Sequence, residues 1–434
     1  MRAQPKRFLP TVRRYPTIGI SLFVICLLVG VSIYTMIRLP LSEALDLWYE
    51  NPDAWVDTPW CVPPAWTNLF RKADLPETII VYTGDVEQTT EPVTATTSRE
   101  TLLLTYDYDF TTLPSEVTFF YQFSYGTKRP QMTITWVRPD GSELELWRNS
   151  PRRGSSRLMI SDDIDLEELF AVDANGVALD GPYALRISIL TFESEGLWID
   201  GRLVVYGGVY GLAGTDGNRR DLMIALLWGT PVALMFGILA TIGTTIIGFI
   251  LAAIGSWFGG WIDATIQRVT EVGMMIPFLP TIMMVGMFYS RNLWVLLGFI
   301  IGLNVFTGAV KSYRAMFLQV KSAPYIEAAR AYGAGNGRII SRYMIPHVAP
   351  VLLPQFVLGV PRFVFLEASL ALLGVGPANL ITWGNVLADG RNGLYMGFFY
   401  WVLEPAFLLV VMGVSFSMLG YALDRVFNPR LRDI

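Results

Sequence analysis

The feature that most constrains this chain is a set of uncharged apolar stretches, each long enough to cross a lipid bilayer. The first runs from Thr17 to Ile37, and its 21 residues would form a helix of roughly 30 Å, the thickness of the hydrocarbon core. The longest runs from Leu222 to Ile254. Because a helix satisfies its own backbone hydrogen bonds in lipid, the sequence predicts an α-helical membrane protein.

Five further spans are expected after a long polar segment. The 33 residues from Leu222 to Ile254 exceed one perpendicular span, and Gly229-Thr230-Pro231 predicts a break into a short interfacial helix and a span. A hydrophobic content of 52%, with only 16% charged residues, agrees with a membrane class. The prediction is a polytopic protein with six transmembrane helices, at about 17–37, 231–254, 270–289, 293–310, 348–375 and 397–420.

The distribution of basic residues predicts the orientation of these helices. Bases that precede the first span place the N-terminus in the cytoplasm. A cleaved signal peptide is the alternative, but the apolar run is long for one and no small-residue cleavage site follows it. Six spans return the C-terminus to the cytoplasm, in agreement with the remaining bases. The bases used are Arg2, Lys6, Arg7, Arg13, Arg14, then Lys311, Arg314, Lys321, Arg330, Arg338 and Arg342 in one loop, and Arg425, Arg430 and Arg432.

A separate domain is predicted outside the membrane, between the first two spans. From about 78 to 206 apolar and polar residues alternate, as in the stretch 117–125, which is typical of strands with one buried face. Pro139-Asp140-Gly141 predicts a hairpin turn. We therefore expect an extracytoplasmic β-sandwich-like domain inserted into the helical protein. The expected divisions are 1–38 (N-terminus and first helix), 39–210 (β-rich domain) and 211–434 (a core of five helices with a cytoplasmic loop at 311–347).

The cytoplasmic loop 311–347 has the sequence features of two short helices joined by a turn. Ser322 is a candidate N-cap of the first helix, with Pro324 in its first turn. Gly333 can end that helix, because glycine accepts the left-handed conformation common after a last helical turn. Asn336 is a candidate cap of the second helix.

This segment resembles the EAA loop of ABC importer permeases. The matching positions are Glu327, Ala328, Ala329, Gly333 and Pro346, while Tyr343 and Ile345 replace the family's Ile and Leu. In that family the loop is a coupling helix that fits a groove on the ATPase subunit, where small residues allow close approach and the glycine permits a sharp turn. The resemblance implies that the five matching residues of this chain contact an ATPase.

Other motifs narrow the resemblance to the permeases of dipeptide, oligopeptide and nickel importers, of the DppC/OppC type. The match covers about 205–432, whereas nothing expected in that family corresponds to 40–205. It implies the ABC importer permease fold, a second permease subunit forming a heterodimer, two ATPase subunits and an extracytoplasmic substrate-binding protein. The motifs are Gly214-Thr215-Asp216 with Arg220-Asp221, in which Arg219 replaces a glycine, then 258–263, 367–370 with 373–376, and Trp383-Gly384-Asn385.

No catalytic, metal or cofactor site is expected in this chain. It has no Gly-Lys dipeptide and therefore no Walker-type phosphate loop, so ATP would be bound by the partner subunits. His347 is the single histidine, and the membrane would separate Cys26 from Cys61, which leaves no disulfide framework. Bases clustered at span ends argue against nucleic-acid binding. Asp216 and Asp221 are expected to cap a helix, with ion ligation as the alternative.

Three charged residues fall inside the apolar spans: Arg362 and Glu367 in the fifth, and Glu404 in the sixth. A charge at the bilayer centre costs roughly 3 kcal/mol, so such residues usually face a cavity or a partner. Two interpretations remain open. Either Arg362 is neutralised by Glu404 or Glu367 as an intramembrane pair, or these charges line the translocation path and contact the substrate.

The resemblance implies a permease subunit that imports di- or oligopeptides across the cell (inner or plasma) membrane and performs no covalent chemistry. Nickel or another small solute carried by related importers is the alternative. A secondary transporter driven by an ion gradient is a less favoured one, because it would be expected to show an internal repeat with broken helices, and none is visible. A membrane-anchored receptor would need only one or two spans.

Overall fold

The structure is a computed structural model that describes residues 16–86, 88–94, 97–173, 176–193 and 197–427. The chain divides into two compact units. The helical unit comprises Met1–Asp46, Ile224–Leu394 and Val402–Ile434, and the β-rich unit comprises Leu47–Met223 and Tyr395–Trp401. The terminal bases used above to orient the chain, before residue 16 and after residue 427, lie outside the described residues.

Helices dominate the first unit. Numbered along the whole chain, the described helices are α1 (Pro16–Arg38), α2 (Leu41–Leu45), α3 (Ile160–Asp163), α4 (Leu166–Leu169), α5 (Leu222–Phe258), α6 (Gly260–Met275), α7 (Phe278–Phe288), α8 (Leu293–Val305), α9 (Gly308–Lys321), α10 (Pro324–Ala331), α11 (Asn336–Ile339), α12 (Ile345–Val348), α13 (Leu352–Leu370), α14 (Trp383–Met396) and α15 (Tyr400–Phe427). The short helices α3 and α4 belong to the β-rich unit.

Four helical segments of the described chain are long and apolar enough to cross a membrane: Pro16–Arg38, Leu222–Phe258, Asn336–Val375 and Tyr400–Arg425. Two bent pairs raise the number to as many as six if each pair is one span. The helices α6 and α7 meet at 78°, and α8 and α9 meet at 48°. The protein is therefore a multi-span helical membrane protein with four to six candidate spans.

The predicted break at Gly229-Thr230-Pro231 is wrong, because α5 continues through it with Pro231 inside the helix. Proline removes one helical hydrogen bond, and in membrane helices neighbouring polar groups compensate for such a loss. The hydroxyl of Thr230 donates to the carbonyl of Leu226 at 3.1 Å, and the indole N–H of Trp383 donates to the same oxygen at 2.9 Å. Both bonds go to the carbonyl of Leu226, which is next to that of Leu227, the carbonyl that loses its helical donor at Pro231.

Two glycines allow α5 and α13 to approach closely. A Cβ at Gly237 would lie 2.7 Å from a methyl of Val364 and 2.9 Å from the carbonyl oxygen of Val360. A Cβ at Gly359 would lie 2.5 Å from the methyl of Thr241. Close backbone approach at small residues is the main source of helix association in lipid, where the hydrophobic effect contributes little.

The β-rich unit contains two antiparallel sheets. The four-stranded sheet has the order β1-β9-β4-β7, and the five-stranded sheet has the order β2-β3-β8-β5-β6. The longest ladder joins β3 and β8, from Ser98 opposite Thr191 to Tyr108 opposite Gly181. The strands are β1 (Ile79–Tyr82), β2 (Gln88–Thr94), β3 (Thr97–Tyr108), β4 (Glu116–Ser124), β5 (Gln131–Val137), β6 (Glu143–Asn149), β7 (Gly154–Met159), β8 (Gly181–Thr191) and β9 (Trp198–Tyr206).

One buried cluster draws side chains from both sheets. Phe119 and Phe123 of the four-stranded sheet belong to it, as do Trp136 and Ile187 of the five-stranded sheet. Alternate side chains of a strand point to the same face, so the period of two in β4 places its apolar side chains in this cluster. The hairpin between β5 and β6 turns at Gly141, whose φ is +80°.

We predict that Gly237→Ala destabilises the protein by about 1–3 kcal/mol, because the added methyl overpacks the contact between α5 and α13. Gly298→Ala is the matched control, since a Cβ at that helical glycine meets no atom within 4 Å. The midpoint of thermal unfolding in detergent should fall for the first variant and stay the same or rise for the second. Equal midpoints for the two variants would contradict the close contact.

Candidate functional site

The loop after α9 forms a short helix that ends in a tight turn. Gly333 follows α10 with φ of +80°, a conformation that side chains with a Cβ rarely adopt. Its N–H donates to the carbonyl of Arg330 at 2.9 Å, and the N–H of Ala334 donates to that of Ala329 at 3.0 Å. These two bonds are the Schellman arrangement, which satisfies carbonyls at a helix end.

Both caps predicted from the sequence in this loop differ in the structure. Ala323, not Ser322, occupies the N-cap position of α10, and the Ser322 hydroxyl donates back to the carbonyl of Gln319 at 3.0 Å. Gly335, not Asn336, precedes α11. The serine hydroxyl finds a carbonyl acceptor in the preceding helix, and such local side-chain bonds compete with capping.

Apolar contacts and cations attach this loop to the ends of neighbouring helices. Ile326 of α10 and Ile339 of α11 are buried in one cluster with Phe317 and Trp257. The Lys321 ammonium donates to the carbonyls of Ser256 and Trp257, both at 2.8 Å, at the C-terminal end of α5. A cation at a helix C-terminus is favoured by the helix dipole. The loop is therefore packed against the C-terminal end of α5 and the neighbouring helix α9.

The five residues predicted to contact an ATPase are not equally accessible. Glu327, Ala328, Gly333 and Pro346 are exposed, whereas Ala329 is buried. This division follows from the helical period, because consecutive residues point about 100° apart.

A polar cavity of about 270 Å³ lies between α5, α8, α9 and α13. Thr241, Thr244 and Thr245 reach it from α5, with a spacing that places them along one helix face. Of the described residues that line it, Arg362 is the one with a charged side chain. Its other polar lining residues are Asn304, Thr307, Tyr313 and Gln355.

The structure gives the three intramembrane charges separate neighbours. The Arg362 guanidinium donates to the amide oxygen of Asn304 at 3.3 Å, and Arg362 forms none of the ion pairs found in the described part of the chain. The predicted ion pair with Glu367 or Glu404 is thus not formed. Glu367 lies five residues further along α13, about 140° around the helix, and cannot share a face with Arg362.

Glu367 belongs instead to the contact between α13 and the residues after it. The Glu367 side chain is buried, and its Oε1 has no hydrogen-bond partner in the described part of the chain. A Cβ at Gly384 would lie 3.2 Å from a Glu367 oxygen and 2.8 Å from the Cα of Ala368. Two motifs that are separate in the sequence therefore pack against each other. Glu404 is half-buried in α15, beside Pro405.

The segment before α5 contains a buried ion pair and a strained residue. Asp216 is fully buried and pairs with Arg220, whose guanidinium stacks 3.9 Å from the Trp48 ring. Asp216 is therefore not the helix cap predicted from the sequence. Arg219 has φ of +63°, so a left-handed conformation is retained where the related motif has glycine. That conformation costs roughly 1–2 kcal/mol for a residue with a Cβ.

Asp221 does cap α5, since its carboxylate accepts the N–H of Met223 at 2.8 Å. Burial raises the pKa of the Asp221 carboxyl above its usual range, and the bond from Met223 partly offsets this. In the described residues there is no group of three or more His, Cys, Asp and Glu side chains arranged to hold a metal ion.

Sequence reasoning missed most of the cavity. Asn304 and Gln355 are single polar residues inside apolar helices, and Tyr313 lies in a loop interpreted only by its charge. The Tyr313 hydroxyl donates to the Gln355 amide oxygen. The available signal was the recurrence of threonine at 241, 244 and 245 on one helical face.

A multi-span helical protein with an intramembrane polar cavity and an anchored loop of this shape has the features of a transport component. Residues 244–433 match the family described as "Binding-protein-dependent transport system inner membrane component". Across 50% of its length, the chain is 29% identical to the dipeptide transport system permease protein DppC of Bacillus subtilis (strain 168), and the match covers 68% of that protein. It is 32% identical, again over 50% of its length, to the peptidoglycan transport system permease protein YejE of Agrobacterium fabrum, covering 56% of it.

Among solved structures, the MetNI methionine ABC transporter in inward-facing conformations is 18% identical, with a TM-score of 0.38, over 48% of this chain and 96% of that one. The matched region and these relatives support a permease subunit of an ABC importer, of the DppC/OppC type. It is a multi-pass inner membrane protein. Such subunits are not themselves enzymes; they work with an ATPase and a substrate-binding protein.

We predict that the polar cavity is open to water-soluble reagents. Ala309 lines it and is exposed, so Ala309→Cys should react with a small charged thiol reagent. Leu239→Cys is the control, because Leu239 is an exposed apolar residue of α5 that does not line the cavity. Cys26→Ala removes the one exposed native thiol, and Cys61 can stay.

Cys61 should not interfere with this measurement. Burial, together with the nearby Asp216 carboxylate, raises the pKa of the Cys61 thiol to about 12. A raised thiol pKa keeps the group protonated and unreactive at neutral pH, since the thiolate is the nucleophile. The labelling rate at Ala309→Cys should exceed that at Leu239→Cys, and equal rates would show that the cavity is closed to water.

Proposed function

We propose that this chain is the permease subunit of an ATP-driven importer of di- and oligopeptides. The observation that carries the proposal is the anchored helix α10 with its glycine turn, on a chain whose relatives include permeases named for dipeptide and oligopeptide transport. The substrate class is supported by those relatives. Six transmembrane helices are counted by treating each bent pair as one span.

In the proposed assembly, a second and different permease subunit completes the membrane part as a heterodimer. Two ATPase subunits lie on the cytoplasmic side, where both termini and the loop 311–347 are placed. An extracytoplasmic binding protein delivers the substrate. The segment 39–210 is an extracytoplasmic β-sandwich-like domain, and 211–434 is the permease core. The one cluster shared by two antiparallel sheets supports the sandwich.

Force transmission is assigned to the exposed side of the coupling loop. Glu327, Ala328, Gly333 and Pro346 would contact the ATPase, while Ala329 positions the helix by packing inward. Alanine presents little side chain, so a partner surface can approach the helix closely. ATP binding would displace this loop, and the helices attached to it would move as packed bodies.

The polar cavity is assigned to the translocation path. Arg362 is a charged side chain that faces this cavity, and its neighbour Asn304 is uncharged. A polar cavity is the environment that makes an intramembrane cation tolerable. We assign Arg362 to substrate contact. The buried Glu367 is assigned to helix packing behind the translocation path and not to the surface of that path. Glu404 is placed in the sixth span, α15.

Nickel and other small solutes remain the second candidate because related importers carry them. The described residues present no cluster of metal-ligating side chains, and the cavity has threonine and amide groups that suit a peptide. Peptidoglycan, for which the Agrobacterium relative is named, contains peptide stems. Uptake into proteoliposomes with di- and oligopeptides, a peptidoglycan fragment and Ni²⁺ distinguishes these substrates.

We predict that Gly333→Val uncouples transport from ATP hydrolysis. The left-handed backbone at this residue is disfavoured by roughly 1–2 kcal/mol once a Cβ is present, and a β-branched side chain adds to that, so uptake should fall on the order of tenfold. Gly335→Val is the control: its φ is −66°, and both glycines have open space around a Cβ. Insertion into the membrane should be unchanged.

The measurement is peptide uptake together with stimulation of the ATPase by the loaded binding protein. Gly335→Val should retain both activities if backbone conformation is what the loop requires. Normal uptake and normal stimulation in Gly333→Val would refute the assignment of this loop to coupling.

We predict that Arg362→Gln lowers peptide uptake while the subunits still assemble. The substitution keeps a polar side chain in the cavity and removes the charge. Arg148→Gln is the control, since Arg148 is exposed on β6 and pairs with Glu145. Uptake should be measured per assembled complex, quantified by co-purification. Loss of assembly in Arg362→Gln, rather than of uptake, would give Arg362 a structural role.

A further inference from the structure

An exposed apolar patch occurs in the β-rich unit. It consists of Trp66, Leu69, Phe70 and Leu212, here called the Trp66 patch. Leu69 and Phe70 are each 82% exposed, and Leu212 is 69% exposed. The patch is ordered by internal contacts: the Trp66 indole N–H donates to the Leu212 carbonyl at 3.0 Å, and the Trp66 and Phe70 rings lie edge-to-face at 6.3 Å.

The patch lies close to the point where the chain enters α5. Leu212 is three residues before Thr215, a separation of about 10 Å at most. Thr215 pairs with Asp221 in an antiparallel bridge, and Asp221 caps the first turn of α5. The N–H of Ala65 also donates to the carbonyl of Gly211 at 3.0 Å. Short backbone links therefore tie the patch to the segment that leads into α5.

The chemistry of the segment suits a lipid headgroup region. Tryptophan and other amphipathic aromatics concentrate at membrane interfaces, and apolar side chains next to basic ones are typical of segments that lie in that layer. Arg71 and Lys72 follow Phe70 directly and are exposed. They are two adjacent bases in a region, 40–215, that carries 27 acidic and 12 basic residues.

We propose that the Trp66 patch inserts into the headgroup–acyl boundary of the outer leaflet, with Arg71 and Lys72 on anionic lipid phosphates. Leu69 and Phe70 enter the apolar layer, and Trp66 lies at its polar edge. This contact holds the β-rich unit at the bilayer by its own surface, in addition to its covalent links to the spans. The proposal does not depend on the substrate of the importer.

The test is a depth measurement on the full chain, with its partner subunits, in lipid nanodiscs. A nitroxide is attached at Phe70→Cys in a Cys26→Ala, Cys61→Ala background, and its collision rates with oxygen and with a water-soluble nickel chelate are compared. Leu103→Cys is the matched control, because Leu103 is an exposed leucine of β3. The label at position 70 should favour oxygen, and the label at 103 should favour the nickel chelate.

Charge reversal tests the lipid phosphate contact. Arg71→Glu with Lys72→Glu should reduce immersion of the label at position 70 in nanodiscs containing anionic lipid, by roughly fivefold per cation removed. It should change immersion little in zwitterionic nanodiscs.

Three results would overturn the proposal. The nickel chelate could reach positions 70 and 103 equally, which would show that the patch faces water. Both reagents could be excluded from position 70, which would show that a protein partner covers it. Immersion could be insensitive to charge reversal in anionic nanodiscs, which would remove the phosphate contact.

Discussion

One constraint shapes the helical unit: every backbone N–H and C=O group in lipid must find a hydrogen-bond partner within the protein. This need produces helices, and it also decides how departures from regular helix are tolerated. Pro231 lies inside α5, and Thr230 and Trp383 donate hydrogen bonds to the neighbouring Leu226 carbonyl. The apolar helices then associate through close contact at glycine, as Gly237 and Gly359 show.

The polar cavity and the buried cluster beneath α10 have residues in common. Val310 and Tyr313 line the cavity, and both also belong to the cluster that holds the coupling loop. The Tyr313 hydroxyl donates to Gln355 across the cavity. Ile326 of α10 lies in the same buried cluster as Val310 and Tyr313 of α9, so packing through α9 connects the loop to the lining of the cavity.

The segment before α5 shows how a residue with a Cβ can occupy a strained position of a motif. Arg219 adopts a left-handed conformation at the position where the motif it resembles has glycine. Its guanidinium lies 4.6 Å from the Tyr206 ring and donates to the carbonyl of Thr58 at 2.9 Å. Such contacts offset a conformational cost on the order of 1–2 kcal/mol. Contacts within the β-rich unit thus stabilise a turn whose backbone conformation an arginine would otherwise disfavour.

The sequence by itself determined the features that rest on local or periodic patterns. The length and apolarity of the stretches indicate membrane helices, alternation predicts strands such as β4, and Gly333 marks the end of α10 because few other residues accept its φ of +80°. The order of short motifs was also sufficient to indicate the transporter class, since each motif is contiguous in the chain.

Only the tertiary structure decided which partner each polar side chain takes. Ser322 was a sound N-cap by local rules, but its hydroxyl bonds to Gln319. Asp216 was equally suited to capping, yet a buried arginine took its carboxylate. Arg362 met Asn304, 58 positions away, instead of an acid. Ser322 and Asp216 take partners only three and four residues away, and the folded backbone decides which of the nearby groups each one reaches, whereas long-range packing supplies the partner of Arg362.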